Sequence, residues 1–170
     1  MSARIAQRYH RRLITLTQAA ADSAVEEDEM SLGTRVTKTE DLSGTQDDLF
    51  TVTGKVLITL LTSEVTDAIG AAVTDWNMRI KTEGTDIIGA QSIANSPVGT
   101  VRVLGGDGSL YSLPGAQGIR PISLTYYVIG LAGGSCTIEA VHTAGDAGDA
   151  MVWTLYYLPL EPGASVAAAA

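Results

Sequence analysis

The strongest β-strand signal in this chain is the segment Leu49-Phe50-Thr51-Val52-Thr53-Gly54-Lys55-Val56-Leu57-Ile58-Thr59-Leu60-Leu61-Thr62-Ser63-Glu64-Val65-Thr66. A second signal lies near the other end of the sequence and reads Met151-Val152-Trp153-Thr154-Leu155-Tyr156-Tyr157-Leu158-Pro159-Leu160. Both segments are rich in Thr, Val, Ile, Leu and aromatic residues, which suit a pleated and half-buried surface. Because no recognisable catalytic constellation lies between them, the pattern favours a structural or binding role over an enzymatic one.

Shorter apolar runs, each bounded by turn residues, predict further strands at 74–81, 85–93, 99–104, 109–113, 120–131 and 135–142. Asp107-Gly108 between two of these runs is a strong hairpin signal. Gly54 interrupts the first long segment and indicates a bulge or a bend. The sequence therefore predicts an all-β domain of about eight strands, either a jelly-roll-like β-sandwich or a closed barrel.

Three segments lie outside this β-domain, which we place at residues 48–163. Apolar residues at spacings of three and four predict an N-terminal helical arm over residues 1–30. The polar stretch 31–47 predicts an extended linker, and residues 164–170 predict a flexible tail. The chain is thus interpreted as one β-domain with arms.

Composition limits the possible partners. The chain has 170 residues and a formal net charge of −8, so its surface would repel nucleic-acid phosphates, and we do not expect it to bind nucleic acid. No stretch approaches the roughly 20 apolar residues of a membrane helix, so we expect no membrane partner. Cys136 is the single cysteine, which excludes an internal disulfide and a cysteine-based zinc site, and we expect it to be a buried, inert thiol.

Few side chains offer reactive chemistry. The two histidines lack metal-ligand spacing, and no nucleophile-elbow motif accompanies the serines. Paired carboxylates act in acid–base catalysis only when an apolar pocket holds one of them. The paired carboxylates of this chain fall in predicted turns, where we expect solvent to keep their acidity ordinary: Asp47, Asp48, Asp146 and Asp149. We therefore expect no catalytic residue, no cofactor and no metal, and both His10 and His142 are interpreted as structural or surface residues.

Two groups of residues are candidates for protein contacts. One is the basic cluster Arg4, Arg8, Arg11 and Arg12 on the predicted arm, which would contact an acidic partner. The other is a set of aromatic side chains on strands that are apolar on both faces. Such strands are either interior to a sandwich or part of a subunit interface. We favour the interface, with self-association through Tyr127, Trp153 and Tyr157.

The two ends of the predicted β-domain resemble a known family. The segment Leu49–Thr66, and Val152–Leu160 with Pro162-Gly163-Ala164 after it, are similar to the corresponding ends of small virion proteins of tailed bacteriophages. The resemblance does not extend through residues 83–117. It implies a head decoration or cement protein on the capsid surface of a virion, which commonly forms homotrimers and clamps neighbouring subunits of the major capsid protein.

The leading hypothesis is therefore a capsid decoration protein whose partners are the major capsid protein and further copies of itself. One alternative is another virion component, such as a tail, connector or fibre-base protein. A second alternative, from a different class, is a carbohydrate-binding β-sandwich, which would display exposed aromatic side chains to sugars. An enzyme is the last hypothesis, because the sequence offers no residues for one.

Overall fold

The computed structural model describes residues 32–105, 109–113, 127–130 and 134–170. Within these ranges the chain forms β-strands and no helix. The strands are β1 (Thr34–Asp41), β2 (Gln46–Thr53), β3 (Val56–Asp67), β4 (Trp76–Ile80), β5 (Thr85–Gln91), β6 (Val101–Leu104), β7 (Leu110–Leu113), β8 (Tyr127–Ile129), β9 (Ser135–His142), β10 (Ala150–Pro159) and β11 (Ser165–Ala168). The described residues accordingly contain no helix that could cross a membrane.

The strands form two antiparallel sheets. Sheet 1 has the order β1-β10-β3-β6-β7, and β8 also pairs with β3. Sheet 2 has the order β11-β2-β9-β4-β5. The all-β prediction is confirmed by this architecture.

One hydrophobic cluster fills the space between the sheets. On β10 the alternate residues Met151, Trp153, Leu155 and Tyr157 are buried, and on β9 the same alternation buries Cys136, Ile138 and Ala140. Side chains from both sheets belong to a single core cluster. The period of two in each strand thus directs one face of each sheet inwards, as expected for sheets packed face to face.

The first long apolar segment makes two strands in different sheets, β2 in sheet 2 and β3 in sheet 1. Gly54 lies between them with a φ of +67°, and a Cβ atom there would come within 2.8 Å of Glu161 Oε1 and 3.0 Å of the Ala164 Cβ. Only glycine accepts both this backbone conformation and this close approach. The predicted bend at Gly54 is therefore confirmed, and it is the corner where the chain changes sheets.

The predicted linker 31–47 is wrong, because most of it is strand. β1 pairs with β10 over eight residue pairs from Thr34↔Tyr157 to Asp41↔Ala150, and β2 already begins at Gln46. Sequence reasoning missed β1 because its inward-facing positions include Lys38 and Glu40, so the hydrophobic alternation of an ordinary half-buried strand is lacking. The β-domain therefore begins well before residue 48.

The predicted flexible tail 164–170 is also wrong. Residues Ser165–Ala168 form β11, which pairs with β2 from Ser165↔Thr53 to Ala168↔Phe50. Val166 is buried in the core, so this strand adds an apolar side chain as well as backbone hydrogen bonds. The alanines of this segment have a low intrinsic strand propensity. The segment is extended because it forms hydrogen bonds with the edge of β2 that would otherwise be unpaired.

Other strand predictions agree closely with the structure. The predicted strand 135–142 is β9, the predicted strand 74–81 contains β4, and the predicted hairpin pairs β6 with β7 from Val101↔Leu113 to Leu104↔Leu110. Of the predicted strand 120–131, the structure describes residues 127–130, and β8 occupies Tyr127–Ile129. The predicted helical arm over residues 1–30 lies outside the described residues.

Candidate functional site

The residues predicted to mediate self-association do not form a surface. Trp153 is fully buried and Tyr157 is 7% exposed, because both lie on the inward-facing side of β10. Tyr127 is half-buried against the core, and its hydroxyl donates a hydrogen bond to the carbonyl oxygen of Gly105 at 3.2 Å. The prediction of an interface through Trp153 and Tyr157 is therefore wrong, and the interior alternative holds for both. The other predicted contacts, Arg4, Arg8, Arg11 and Arg12, lie outside the described residues.

The outward side of sheet 1 carries the apolar surface that these aromatics do not provide. Leu57 on β3 lies directly between Leu158 on β10 and Val128 on β8. Leu158 is 37% exposed and Val128 is 63% exposed. We call this face the sheet-1 outer face; its apolar members are Leu57, Leu60, Val128, Val152, Tyr156 and Leu158. Two exposed apolar side chains with half-buried Leu57 between them form a contiguous patch on three neighbouring strands, unlike the scattered apolar residues of an ordinary surface.

The outward side of sheet 2 is charged instead. Glu139 on β9 is 1% exposed, and its carboxylate accepts hydrogen bonds from Arg79 Nε at 2.7 Å and from Gln46 Nε2 at 2.6 Å. Next to it, the Lys81 ammonium contacts both oxygens of Asp48 at 2.8 and 2.9 Å. The hydrogen bond to Asp48 raises the pKa of Lys81. This face is a paired polar network, so the two outer faces of the sandwich differ in kind.

A carboxylic acid lies at the centre of the core, where sequence analysis expected none. Glu40 on β1 is completely buried. Its Oε1 accepts a hydrogen bond from the indole Nε1–H of Trp76 at 2.9 Å, and its Oε2 accepts one from that of Trp153 at 2.7 Å. Burial raises the pKa of Glu40 from 4.5 to about 7, while the two indole donors oppose this shift. Glu40 was missed because it falls in the segment interpreted as a linker.

The two indoles that hold Glu40 come from opposite sheets. Trp76 lies on β4 of sheet 2 and Trp153 on β10 of sheet 1, and their rings stack with centroids 5.2 Å apart and planes 13° apart. They are the only tryptophans in the chain. Since both are fully buried, neither can stack on a sugar as a carbohydrate-binding module would require.

His142 completes this polar cluster. It lies opposite Trp76 in the β4–β9 register, and its Nε2 is 3.6 Å from Glu40 Oε1. Its Nδ1 lies 3.0 Å from the carbonyl oxygen of Thr143, which can only accept, so we assign the Nδ1 proton to that bond. The interpretation of His142 as a structural residue agrees with its complete burial. The ring nitrogen that faces Glu40 is thus Nε2, which carries no proton when the ring is neutral.

Further buried polar atoms lie on the same inward face of sheet 1. Ser63 on β3 is opposite Trp153 on one side and Arg102 on the other. Arg102 is 3% exposed, and its Nη2 donates to Ser96 Oγ. Among the residues the structure describes, Ser63 Oγ, Arg102 Nη1 and His142 Nε2 have no hydrogen-bond partner. Burial lowers the pKa of Arg102, and the charge of Glu40 opposes this shift.

The paired carboxylates considered in the sequence have structural environments. Asp47 and Asp48 lie on β2 rather than in a turn. Asp146 is exposed, but Asp149 is 5% exposed, and its Oδ2 accepts hydrogen bonds from the backbone amides of Gly70 at 3.1 Å and Asp146 at 3.0 Å. The expectation of a solvated side chain is therefore wrong for Asp149, which connects two loops at one end of the sandwich.

One cleft of about 290 Å³ lies between β8 and the β4–β5 hairpin. Its lining includes Ile80, Ile87 and Ile129, the acidic side chains Glu83 and Asp86, and the thiol of Cys136. Burial, with a smaller effect of Glu83, raises the pKa of Cys136, which disfavours the reactive thiolate. The predicted burial of Cys136 is confirmed.

Within residues 32–105, 109–113, 127–130 and 134–170, no group of three or more His, Cys, Asp and Glu side chains is arranged to hold a metal ion. Comparison with protein-family models, with curated proteins and with solved structures gives no match to this chain.

Proposed function

We propose that this protein is a structural component of a bacteriophage virion: a capsid decoration or cement protein that binds and stabilises the shell of the major capsid protein. In this proposal the chain acts as a homotrimer on the capsid surface. Its body is a jelly-roll-like sandwich, and its residues 1–30 form a helical arm. The observation that carries the proposal is the contrast between the apolar sheet-1 outer face and the charged outer face of sheet 2.

The apolar face supports an assembly role because exposed apolar surface favours association. Covering Val128, Leu158 and their neighbour Leu57 would remove apolar area from water at about 25 cal/mol per Å². Interfaces of stable complexes place such residues at a desolvated centre with polar groups around them. On the sheet-1 outer face the exposed charged residues Arg35 and Glu64 occupy positions beside this apolar area.

The charged face supports the complementary half of the role. A decoration protein that is bound through one side must keep its other side in water without attracting further copies. Arg79, Lys81 and Asp48, whose side chains are 34%, 43% and 36% exposed around buried Glu139, give sheet 2 a charged and hydrated outer surface. A sandwich with one apolar and one charged outer face is suited to a subunit that forms a single layer on another protein surface.

The rigid body of the protein agrees with this role. Antiparallel pairing joins every described strand to a neighbour, and the buried side chains form a single cluster. The arginines at positions 4, 8, 11 and 12 are proposed to contact an acidic surface of the major capsid protein, which would add affinity through their covalent link to the bound body. Function by contact requires no active site, and the protein is proposed not to be an enzyme.

The experiment that tests the proposal is the copy ratio of this protein to the major capsid protein in purified virions, measured by quantitative mass spectrometry. Near-equal copy numbers are expected for a protein that covers the whole shell. A small fraction of that number would assign the protein to the tail, the connector or a fibre base and overturn the decoration role. Absence from the virion would overturn every structural role in the particle.

A further inference from the structure

The buried Glu40–His142 pair has an arrangement that a simple core does not need. Glu40 and His142 come from different sheets, are both completely buried, and face each other with Oε1 and Nε2 3.6 Å apart. The hydrogen bond from Nδ1 to Thr143 leaves Nε2 of the neutral ring with a bare lone pair. Two lone-pair atoms facing each other in a dry core are unfavourable, whereas one proton on either atom makes the contact attractive.

Other charges near Glu40 are few. Among the described residues, the coulombic contributions come from Asp47 on β2, which disfavours the carboxylate, and from Arg102 on β6, which favours it. The neighbours on β4 and β10 that contact it are the uncharged indoles of Trp76 and Trp153. On β1 itself, Lys38 directs its ammonium to the carbonyl oxygen of Ala169 rather than to Glu40, and Asp41 is exposed. Ionised Glu40 would thus be a poorly compensated charge in the core.

Because Glu40 lies on β1, its ionisation would affect how that strand is attached to the sandwich. Among the strands that the structure describes, β1 is at the edge of sheet 1, and its backbone pairs there with β10 alone. Glu40 is the only completely buried residue between Thr34 and Asp41. Its two indole hydrogen bonds attach β1 to both sheets at once. Loss of that attachment would leave β1 held by its ladder to β10 and by half-buried Val36 and Lys38.

We propose that Glu40 and His142 form a proton-binding switch that docks β1: the strand is held while one proton lies in the pair, and it opens from β10 when that proton is lost to water. The opened strand exposes Glu40, which then ionises as an ordinary glutamate. Opening would also leave the edge of β10 unpaired. This inference does not depend on the capsid role.

Hydrogen exchange of the β1 amides measures the opening. If opening of β1 exposes Glu40, protection of these amides falls about tenfold per pH unit between pH 4.5 and about 7, after correction for the intrinsic exchange rate. Amides of β3 in the interior of sheet 1 are expected to exchange only when the whole domain unfolds, which also exposes Glu40, so they should show the same pH slope at a higher absolute protection. Protection of β1 that is independent of pH, or that equals the protection of β3 throughout this range, would overturn the proposed switch.

Tryptophan fluorescence reports the proton itself in the intact protein. Both tryptophans of the chain donate to Glu40, so its ionisation must change their emission, with a midpoint near pH 7. The transition is expected to be absent in Glu40→Gln and unchanged in Glu64→Gln, an exposed glutamate on β3. If Glu40→Gln does not fold, the carboxyl ¹³C shift of Glu40 in the labelled wild-type protein replaces it. A Glu40 resonance that titrates below pH 5 would contradict the proposal.

Discussion

The indole rings of Trp76 and Trp153 stack across the interior of the sandwich, 5.2 Å apart, while each donates a hydrogen bond to a different oxygen of Glu40. One carboxyl group therefore joins three strands from two sheets. The stack explains how a chain with few aromatic residues still builds a specific core, because its two largest side chains are oriented by a shared acceptor.

Replacing Trp153 with Phe is expected to destabilise the fold by about 2–4 kcal/mol, since the change removes a buried donor and leaves a cavity. Urea unfolding at pH 5 measures this effect. Tyr156→Phe on the same strand faces outward and is half-exposed, so it should alter the free energy of unfolding by no more than about 0.5 kcal/mol. Equal effects of the two substitutions would contradict the proposed importance of the Glu40 hydrogen bonds.

The pH dependence of stability follows from the raised pKa of Glu40. Below pH 4.5 Glu40 is neutral in both the folded and the unfolded protein, so its contribution is fully present. Between pH 4.5 and about 7 the unfolded chain loses this proton first, so stability falls, in total by on the order of 3 kcal/mol relative to Glu40→Gln. Urea unfolding of both proteins from pH 4 to pH 8 tests the sign, and a difference that grows in favour of the wild type with pH would refute it.

Gly54→Ala is expected to destabilise the protein by about 1–3 kcal/mol, because alanine is strained at a φ of +67° and its Cβ would meet Glu161 and Ala164. Thermal unfolding provides the measurement. Gly89→Ala on β5 is the matched control, since no atom lies within 4 Å of a Cβ at that position and its φ is not positive. A Gly54→Ala protein as stable as the control would mean that the corner adjusts without cost.

Arg79→Met is expected to cost about 1–3 kcal/mol, because it removes a charged donor from Glu139, which is buried. Lys81→Met removes a cation that is 43% exposed and pairs mainly with Asp48, whose side chain is 36% exposed, so we expect a clearly smaller loss than for Arg79→Met. A double-mutant cycle with Glu139→Gln, followed by chemical denaturation, separates the pairwise energies. A larger coupling of Glu139 to Lys81 than to Arg79 would reverse our ranking.

The proposed assembly face makes a prediction about capsid attachment. Val128→Lys places a charge in the sheet-1 outer face and is expected to weaken binding to shells that lack the protein by about tenfold or more. Val98→Lys is a matched control, because Val98 is 62% exposed and Val128 63%, but Val98 lies in a loop near Val65, at the other end of β3 from Leu57. Co-sedimentation with the shells measures binding. Equal binding by both variants would exclude this face.

Strands with strong apolar alternation could be predicted from the sequence. The bounds of β9 could be predicted as observed, and the pairing of β6 with β7 could be predicted from the Asp-Gly pair that lies between them in the sequence, because local propensity and turn residues are strong signals there. The strands β1 and β11 could not be predicted in this way. Apart from Val36 and Val166 their residues are polar or alanine, and they are extended because they pair with β10 and β2.

The candidate site was harder to predict than the strands. Periodicity shows that Trp153 and Tyr157 share one side of β10, but it does not say whether that side faces the core or a neighbouring subunit. The structure shows that it faces the core, and that the exposed apolar surface is made instead by Val128, Leu57 and Leu158. These three residues are separated in sequence and become neighbours only through the order of the strands.

The amino-acid sequence alone predicted an all-β domain with a buried cysteine, as the described residues have it, because alternation, turn residues and composition act locally. Tertiary structure was needed to split the segment Leu49–Thr66 between two sheets at Gly54, and to bring Glu40 from an apparently polar stretch into the core between Trp76 and Trp153. The physical reason is the same in both cases. Gly54 approaches Glu161 and Ala164, and Glu40 accepts hydrogen bonds from Trp76, 36 positions away, and Trp153, 113 positions away, so no local pattern records these contacts.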